Sequence, residues 1–499
     1  MKWFSSQFHQ EFFIFITRIF RGFFFKLFYN RNPRSANFGP KISDSILSEL
    51  EKFFHTRPNQ LQDELLLLDL LNFFTNLLES NAKTGKISDW LVEKLENINN
   101  PLYEYIGNEE SIPGNDLRVK RRIIRTFLNL IVRLASLSQL TPTIFQFTMR
   151  NLINRINQSR SSSGTEQFYN LPVVQICARA ISRLSVNQRI SEIKDLWSIG
   201  NQAMIEIITA FYRGSGGSTQ SFMGKSVINN AIFALSNFCK AQSESSELEI
   251  ENLLQPEIGL GWISSILRFR TVKSRSCALS ILVTLTGSVS GSKAVCQTFG
   301  NKIWRNLILI ALDDEESAIC RSLAFSVLTR LLRILPQVSN TNPLEGVTFL
   351  ALISEMQKVS FYPALAEMLQ NYHHCDIPTN KQKAPVTPKL LTSITDWLTT
   401  LLSVAEQDTK VGLATTGIPR ILVQLSNVRL ISLSDCSVRR SLMSQVASTV
   451  QLLNFAHNSP EEILPLAISL FSLSLELHSQ ASYEVSNCNC FILILIQKC

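Results

Sequence analysis

One rhythm constrains this chain more than any other feature. Between Lys225 and Leu335, the segments KSVINNAIFALSNFCKA, GLGWISSILRFRTVKSRSCALSILVTLTG and KAVCQTFGNKIWRNLILIALDDEESAICRSLAFSVLTRLLRIL can be laid over one another. Ala231, Ala278 and Ala324 then coincide. So do Ile232, Leu279 and Phe325, then Leu235, Leu282 and Leu328, then Phe238, Leu285 and Leu331. The steps are 47 and 46 residues. Apolar residues spaced three and four apart line one face of a helix. A fixed step in the range of about 20–50 residues means that each unit buries that face against its neighbours. The chain is therefore predicted to be all-α, a stack of helical repeats.

The step length is that of an armadillo/HEAT-like superhelix, here of about eight to ten units. Leu171–Ser185 extends the register backward, since Ala180, Ile181 and Leu184 match Ala231, Ile232 and Leu235 at a step of 51. The surplus falls in the Gly- and Ser-rich insert at 213–221, flexible by composition. Leu61–Leu78 is predicted as a helix apolar around nearly its whole circumference, Ser88 and Asp89 as caps of a short helix, and 157–168 as a Ser-rich loop. Helices are also predicted over Ile42–Phe54, Arg121–Leu137 and Thr143–Ile156. Lys293/Gly300 and Lys410/Gly417 share one spacing, with Gly closing a first helix in a left-handed conformation before a Leu-rich second. Arg439–Phe455 would be the third helix of the later unit. The domains read as an aromatic and basic segment at 1–33, repeats over 41–376, a Pro- and Lys-rich loop at 377–389, repeats over 390–480 and an atypical tail at 481–499. The N-terminal segment reads as the tail of a preceding repeat or as sequence foreign to the fold, and the C-terminal tail, which lacks the polar closing face a solenoid needs, reads as a truncation or as sequence not native to the fold.

Composition excludes several classes. Of 499 residues 45% are hydrophobic, too apolar for a disordered chain. The net charge of +8 is mild for a nucleic-acid binder, which concentrates charge on one face. The densest basic cluster, Lys120, Arg121, Arg122 and Arg125, reads as the solvated side of a helix. Cys177, Cys239, Cys277, Cys296 and Cys320 sit inside apolar runs without a disulfide-like spacing, which predicts reduced, buried thiols and an intracellular protein. Apolar runs near either end are too short to span a bilayer, although the stripe of Phe8, Phe12, Phe15, Ile19 and Phe23 could lie on a membrane surface.

Catalytic signals are sparse. The chain has no G-x-G-x-x-G before a helix, no Walker A loop, no G-x-S-x-G and no H-E-x-x-H. His373, His374, Cys375 and Asp376 have metal-ligand chemistry, but four adjacent side chains cannot chelate one ion. The C-x-C of Cys488 and Cys490 has no second pair. Asp313, Asp314, Glu315 and Glu316 precede a helix, where the dipole stabilises them. The predicted sites are therefore without catalytic, cofactor or metal residues. Import receptors of armadillo type use a Trp and Asn ladder four residues apart. Phe233 and Asn237 have that spacing once, but the equivalents of Asn237 are Thr284 and Arg330, so the ladder fails. With 228–240, 274–287 and 320–333 as inner helices, Asn230, Asn237, Thr284 and Arg330 become the candidate protein-binding residues of a concave groove.

The stretches Gly259–Gly287 and Ile303–Leu332, and more weakly Val347–Leu369, resemble the rotatins, large armadillo-like proteins of centrioles and ciliary basal bodies. The resemblance implies a scaffold acting in centriole assembly and cilium formation, with centriolar or ciliary proteins as partners and a centrosomal or basal-body location. It carries no functional motif over to individual residues.

Overall fold

The computed structural model describes residues 61–421 with gaps, the largest being 374–386 and most positions after 405. The expectations for 1–33, Ile42–Phe54, 213–221, most of 377–389, Lys410/Gly417, Arg439–Phe455 and 481–499 lie outside the described residues. Contacts divide the chain into two units, one built on residues up to Thr141 and the other on residues from Pro142 onward together with 106–108.

The first unit holds α1 (Leu61–Glu79), α2 (Gly85–Glu96), all but the last two residues of α3 (Pro101–Gly107), and α4 (Leu117–Ser136). Helix α1 buries Leu67, Leu68, Leu71, Phe74 and Leu78 and leaves an exposed strip at Leu65, Asp69 and Asn76, so it is one-sided rather than apolar all round. It packs on α4, whose Arg133 donates from Nε and Nη2 to the Leu78 carbonyl at 3.3 and 3.2 Å and so satisfies the end of α1. Helix α2 starts at Gly85, one turn earlier than predicted. Ser88 is therefore a buried interior residue and not a cap. Of the basic cluster on α4, Arg122 and Arg125 are exposed while Lys120 is buried.

The second unit begins with α5 (Pro142–Gln158). The predicted Ser-rich loop is instead an antiparallel hairpin, β1 (Arg160–Ser163) with β2 (Glu166–Tyr169). Then follow α6 (Leu171–Leu184), α7 (Lys194–Tyr212), α8 (Phe222–Glu244), α9 (Gly261–Leu267), α10 (Val272–Leu285), α11 (Val289–Phe299), α12 (Lys302–Leu312), α13 (Ala318–Ser339), α14 (Phe349–Lys358), α15 (Phe361–His373) and α16 (Pro388–Val404). Helices α6, α8, α10, α13 and α16 pack side by side in that order and form a front layer. Helices α5, α7, α9, α12, α14 and α15 back them, with the short α11 set against α9 and α13. This is an all-α solenoid, and the repeat seen in the sequence is its front helix.

The reason lies in the register residues. Ala231, Ala278 and Ala324 are wholly buried, as are Leu235, Leu282 and Leu328. Alanine at the middle of each front helix permits close approach, and the larger residues one turn away fill the space between layers. The turn logic also holds at Gly300, which has φ +52° and donates its N–H to the Cys296 carbonyl at 2.8 Å before α12 begins. Front helices start on side-chain caps where the turn allows it: Thr387 accepts from Leu390 N–H at 3.3 Å, with Pro388 at the first helical position.

Leu282→Ala removes a wholly buried register side chain and is expected to cost about 2–5 kcal/mol. Leu309→Ala, at a position 48% exposed, should change stability by less than about 0.5 kcal/mol. Urea denaturation midpoints of the two variants separate these outcomes, and equal shifts would contradict the register.

Candidate functional site

A helix in the front layer has two flanks pressed on its neighbours and one free stripe. The four residues predicted from sequence all sit where stripe and flank meet, and all are half-buried. Asn230 accepts from Ser182 Oγ at 2.9 Å and donates to the Ser226 carbonyl at 2.8 Å. Asn237 donates to Ser185 Oγ at 2.9 Å. Thr284 donates to the Ser280 carbonyl within its own helix at 3.0 Å. Arg330 donates from Nη1 to the Val283 carbonyl at 2.6 Å, beside Gly287, where a Cβ would stand 3.0 Å from that nitrogen. The structure therefore does not gather the four into one cluster. It spreads them along successive seams, where three of them tie one front helix to the one before it.

Every front-layer seam has such a bond. Ser182 and Ser185 bond α6 to α8, and Ser274 Oγ donates to Asn229 Oδ1 between α8 and α10 at 2.5 Å. Arg330 joins α10 to α13. Between α13 and α16, the Ser322 and Ser393 hydroxyls meet at 2.7 Å, and Arg333 donates to Asp396 at 2.6 Å and to Thr400 at 3.3 Å. These bonds fix the sliding position of each helix, which apolar packing alone leaves loosely defined.

Deeper in the stack lies a pair that sequence reasoning missed. Arg275, buried at the start of α10, donates from Nε to the Leu267 carbonyl at 3.1 Å and pairs with the buried Glu316 carboxylate. The other Glu316 oxygen accepts from Ser317 N–H at 3.0 Å, at the start of α13. Arg321 stands 46 residues after Arg275 and repeats half of this arrangement. Its Nε donates to the Ala311 carbonyl at 3.3 Å, and its Nη2 contacts the Met368 sulfur. Burial pulls the Arg321 guanidinium below its ordinary value, while Asp314, Asp313 and Glu316 push it back up. The acidic run is thus not one feature: Glu316 is an inter-repeat anchor, while Asp313, Asp314 and Glu315 are exposed. The only sequence signal was the Arg-Ser-x-Ala match at Arg275 and Arg321.

The free stripe of the front layer is basic. Arg179 and Arg183 lie one turn apart on α6, Lys240 near the end of α8, Lys273 on α10, Arg330 and Arg333 on α13, and Lys389 on α16. Two acids share it: Glu244, 3.8 Å from Lys240, and Asp396, held by Arg333. Lys273 Nζ sits 4.8 Å from the centre of the Phe233 ring, across the α8–α10 seam. Burial lowers the Arg330 pKa, and the like charge of Arg333 lowers it further.

The five described cysteines are all buried. Burial pushes Cys239 up to about 12, and Cys277, Cys296 and Cys320 up to about 11. Thiols held protonated are poor nucleophiles and poor metal ligands. His373 closes α15, whereas His374, Cys375 and Asp376 lie outside the described residues. Among the described residues, no group of three or more His, Cys, Asp or Glu side chains is placed to hold a metal ion, and no helix is long and apolar enough to cross a membrane.

No protein-family model matches the chain. Human rotatin is 25% identical over 321 residues and mouse rotatin 25% identical over 320. Each match covers 57% of this chain and 14% of the relative, so the chain spans a small part of the length of the curated relatives it matches. A solved structure of an engineered protein is 12% identical with a TM-score of 0.39, covering 61% of this chain and 98% of that one. The resemblance to rotatin is thus partial, and it extends over more of the chain than the stretches quoted above.

Glu316→Ala leaves the buried Arg275 charge without its partner and should cost about 3–5 kcal/mol. The double variant Arg275→Met/Glu316→Leu should cost clearly less than the sum of the single variants. A double-mutant cycle on urea midpoints checks this, and additivity would show that the two side chains do not interact. Iodoacetamide at pH 8 should leave Cys239, Cys277, Cys296 and Cys320 unmodified in the folded chain and alkylate all four in urea. Peptide mapping reads the outcome, and rapid native labelling of any of them would contradict its burial.

Proposed function

We propose that this chain is a non-catalytic protein-binding scaffold of the rotatin kind, acting in centriole and basal-body assembly and in cilium formation. The observation that carries this reading is the front layer. Five helices from distant parts of the sequence present their polar stripes side by side, with the apolar residues turned inward. A surface built by repetition suits an extended peptide or a partner helix, which can contact several units at once. The partial likeness to human and mouse rotatin supports the cellular setting. Asn230, Asn237, Thr284 and Arg330 border this surface, and a partner that engages them does so beside the seams that Asn230, Asn237 and Arg330 hold together. The location that goes with this function is the cytoplasm, at the centrosome or the basal body.

Proximity labelling of the tagged chain in ciliated or dividing cells tests the proposal. Enrichment of centriolar or basal-body proteins is the expected result. Enrichment confined to unrelated compartments would end it.

A further inference from the structure

The scaffold reading leaves the chemistry of the partner open, and the front stripe narrows it. Its charge is strongly one-sided. Every front helix contributes at least one Lys or Arg, while both acids on the stripe, Glu244 and Asp396, are already matched by Lys240 and Arg333. The cations are spread across the layer and not repeated at one register position, since Arg179 precedes Ala180 by one residue and Lys273 precedes Ala278 by five. Adjacent packed helices lie about 8–10 Å apart. A polypeptide in the extended polyproline II conformation turns once every three residues and rises about 9 Å per turn. Carboxylates three residues apart on such a segment therefore face successive front helices. Five helices correspond to a segment of about 13 residues.

The rest of the stripe fits a peptide better than a nucleic acid. Between the cations lie short hydroxyls, Ser276, Ser280, Ser326 and Thr392, and half-buried apolar side chains such as Val283 and Leu323. Single-stranded nucleic acids need aromatic faces on which bases can stack. Among the described residues of the stripe the aromatic side chain is Phe233, and the Lys273 ammonium already lies over its ring.

We infer that the front face docks an acidic, extended segment of a partner protein, its carboxylates answering the exposed cations of alternate front helices, Arg179 on α6, Lys273 on α10 and Lys389 on α16. This rests on the scaffold reading and adds the chemical class of the partner. Lys273 lies on the middle helix of the five, with Arg179 and Lys389 on the two outermost, so contacts across several units add up. Binding is then sensitive to salt, since exposed charges are screened within about 8 Å at physiological ionic strength.

The test uses the full chain and a fluorescein-labelled 15-residue peptide bearing Glu at every third position, followed by fluorescence anisotropy. A peptide with Lys in place of Glu, a single-stranded RNA of equal charge and vesicles containing phosphatidylserine are the competitors. The expected result is saturable binding of the Glu peptide, weakened at least tenfold by raising salt from 50 to 300 mM. Arg179→Glu/Lys273→Glu/Lys389→Glu should weaken it at least tenfold, and Arg179→Gln/Lys273→Gln/Lys389→Gln several-fold. Circular dichroism confirms that both variants stay folded, and Arg122→Glu on α4 should leave binding unchanged. Equal binding of the Lys peptide, insensitivity to the triple variants, or stronger binding of RNA or vesicles by the same residues would overturn the inference. Proximity labelling with the triple Glu variant separates the two levels. If centriolar proteins are retained by wild type and variant alike, the scaffold stands and the acidic partner falls. If wild type enriches none, the scaffold reading itself falls.

Discussion

The stack depends on what happens to the carbonyl ends of its back-layer helices. The last turn of any helix leaves backbone acceptors without partners, and in a solenoid those ends point into the next unit, away from water. Arg275 and Arg321 answer this at equivalent positions. Each lies near the start of a front helix and reaches back to the carbonyl that ends the helix behind it, Leu267 or Ala311. A cation near a helix C-terminus is favoured by the dipole as well as by the hydrogen bond. Buried charge is costly unless it is compensated, and Glu316 compensates Arg275 from the next repeat. One guanidinium thus joins the end of α9, the start of α10 and the start of α13. The apolar register would allow neighbouring helices to slip by a turn. This anchor does not, because a slip would strand both charges.

The apolar half of this design was legible in the sequence. The Ala and Leu register identified the front helices, because burial on two sides requires the same small and large residues at the same places in each unit. Gly300 was legible for a different reason: a backbone with positive φ strongly favours glycine. The anchor was not legible. Glu316 looked like an ordinary helix-start acid, and its partner stands 41 residues earlier on another helix. Sequence spacing cannot show which flank of a helix meets which neighbour. Ser88 was misplaced for a related reason, since good capping chemistry also serves inside a helix when the true start lies one turn earlier.

The candidate site divides along the same line. Asn230, Asn237, Thr284 and Arg330 were chosen as polar residues interrupting an apolar face, and polarity alone does not separate a seam from a surface. A short amide or hydroxyl on a flank finds a partner on the next helix, as Asn237 does with Ser185. A long cation on the stripe projects into solvent instead, as Arg179 and Lys389 do. Length and charge, read at the stripe position of each repeat, were the missing signal.

This division also explains how a mild net charge can coexist with a strongly basic face. A charge of +8 spread over 499 residues creates little field anywhere. Repetition changes that, because it brings the outward stripes of the front helices onto one face. Arg179, Lys273 and Lys389 on that face act together on an extended anion, while the acids described on it, Glu244 and Asp396, are paired. The seams and the stripe then place separate demands on the sequence. The seams demand particular side chains at particular heights, since Gly287 must stay small for Arg330 to reach Val283. The stripe demands only sign and reach. Binding along it can therefore be retuned by changing one exposed residue per repeat, without disturbing the bonds that hold the helices in order.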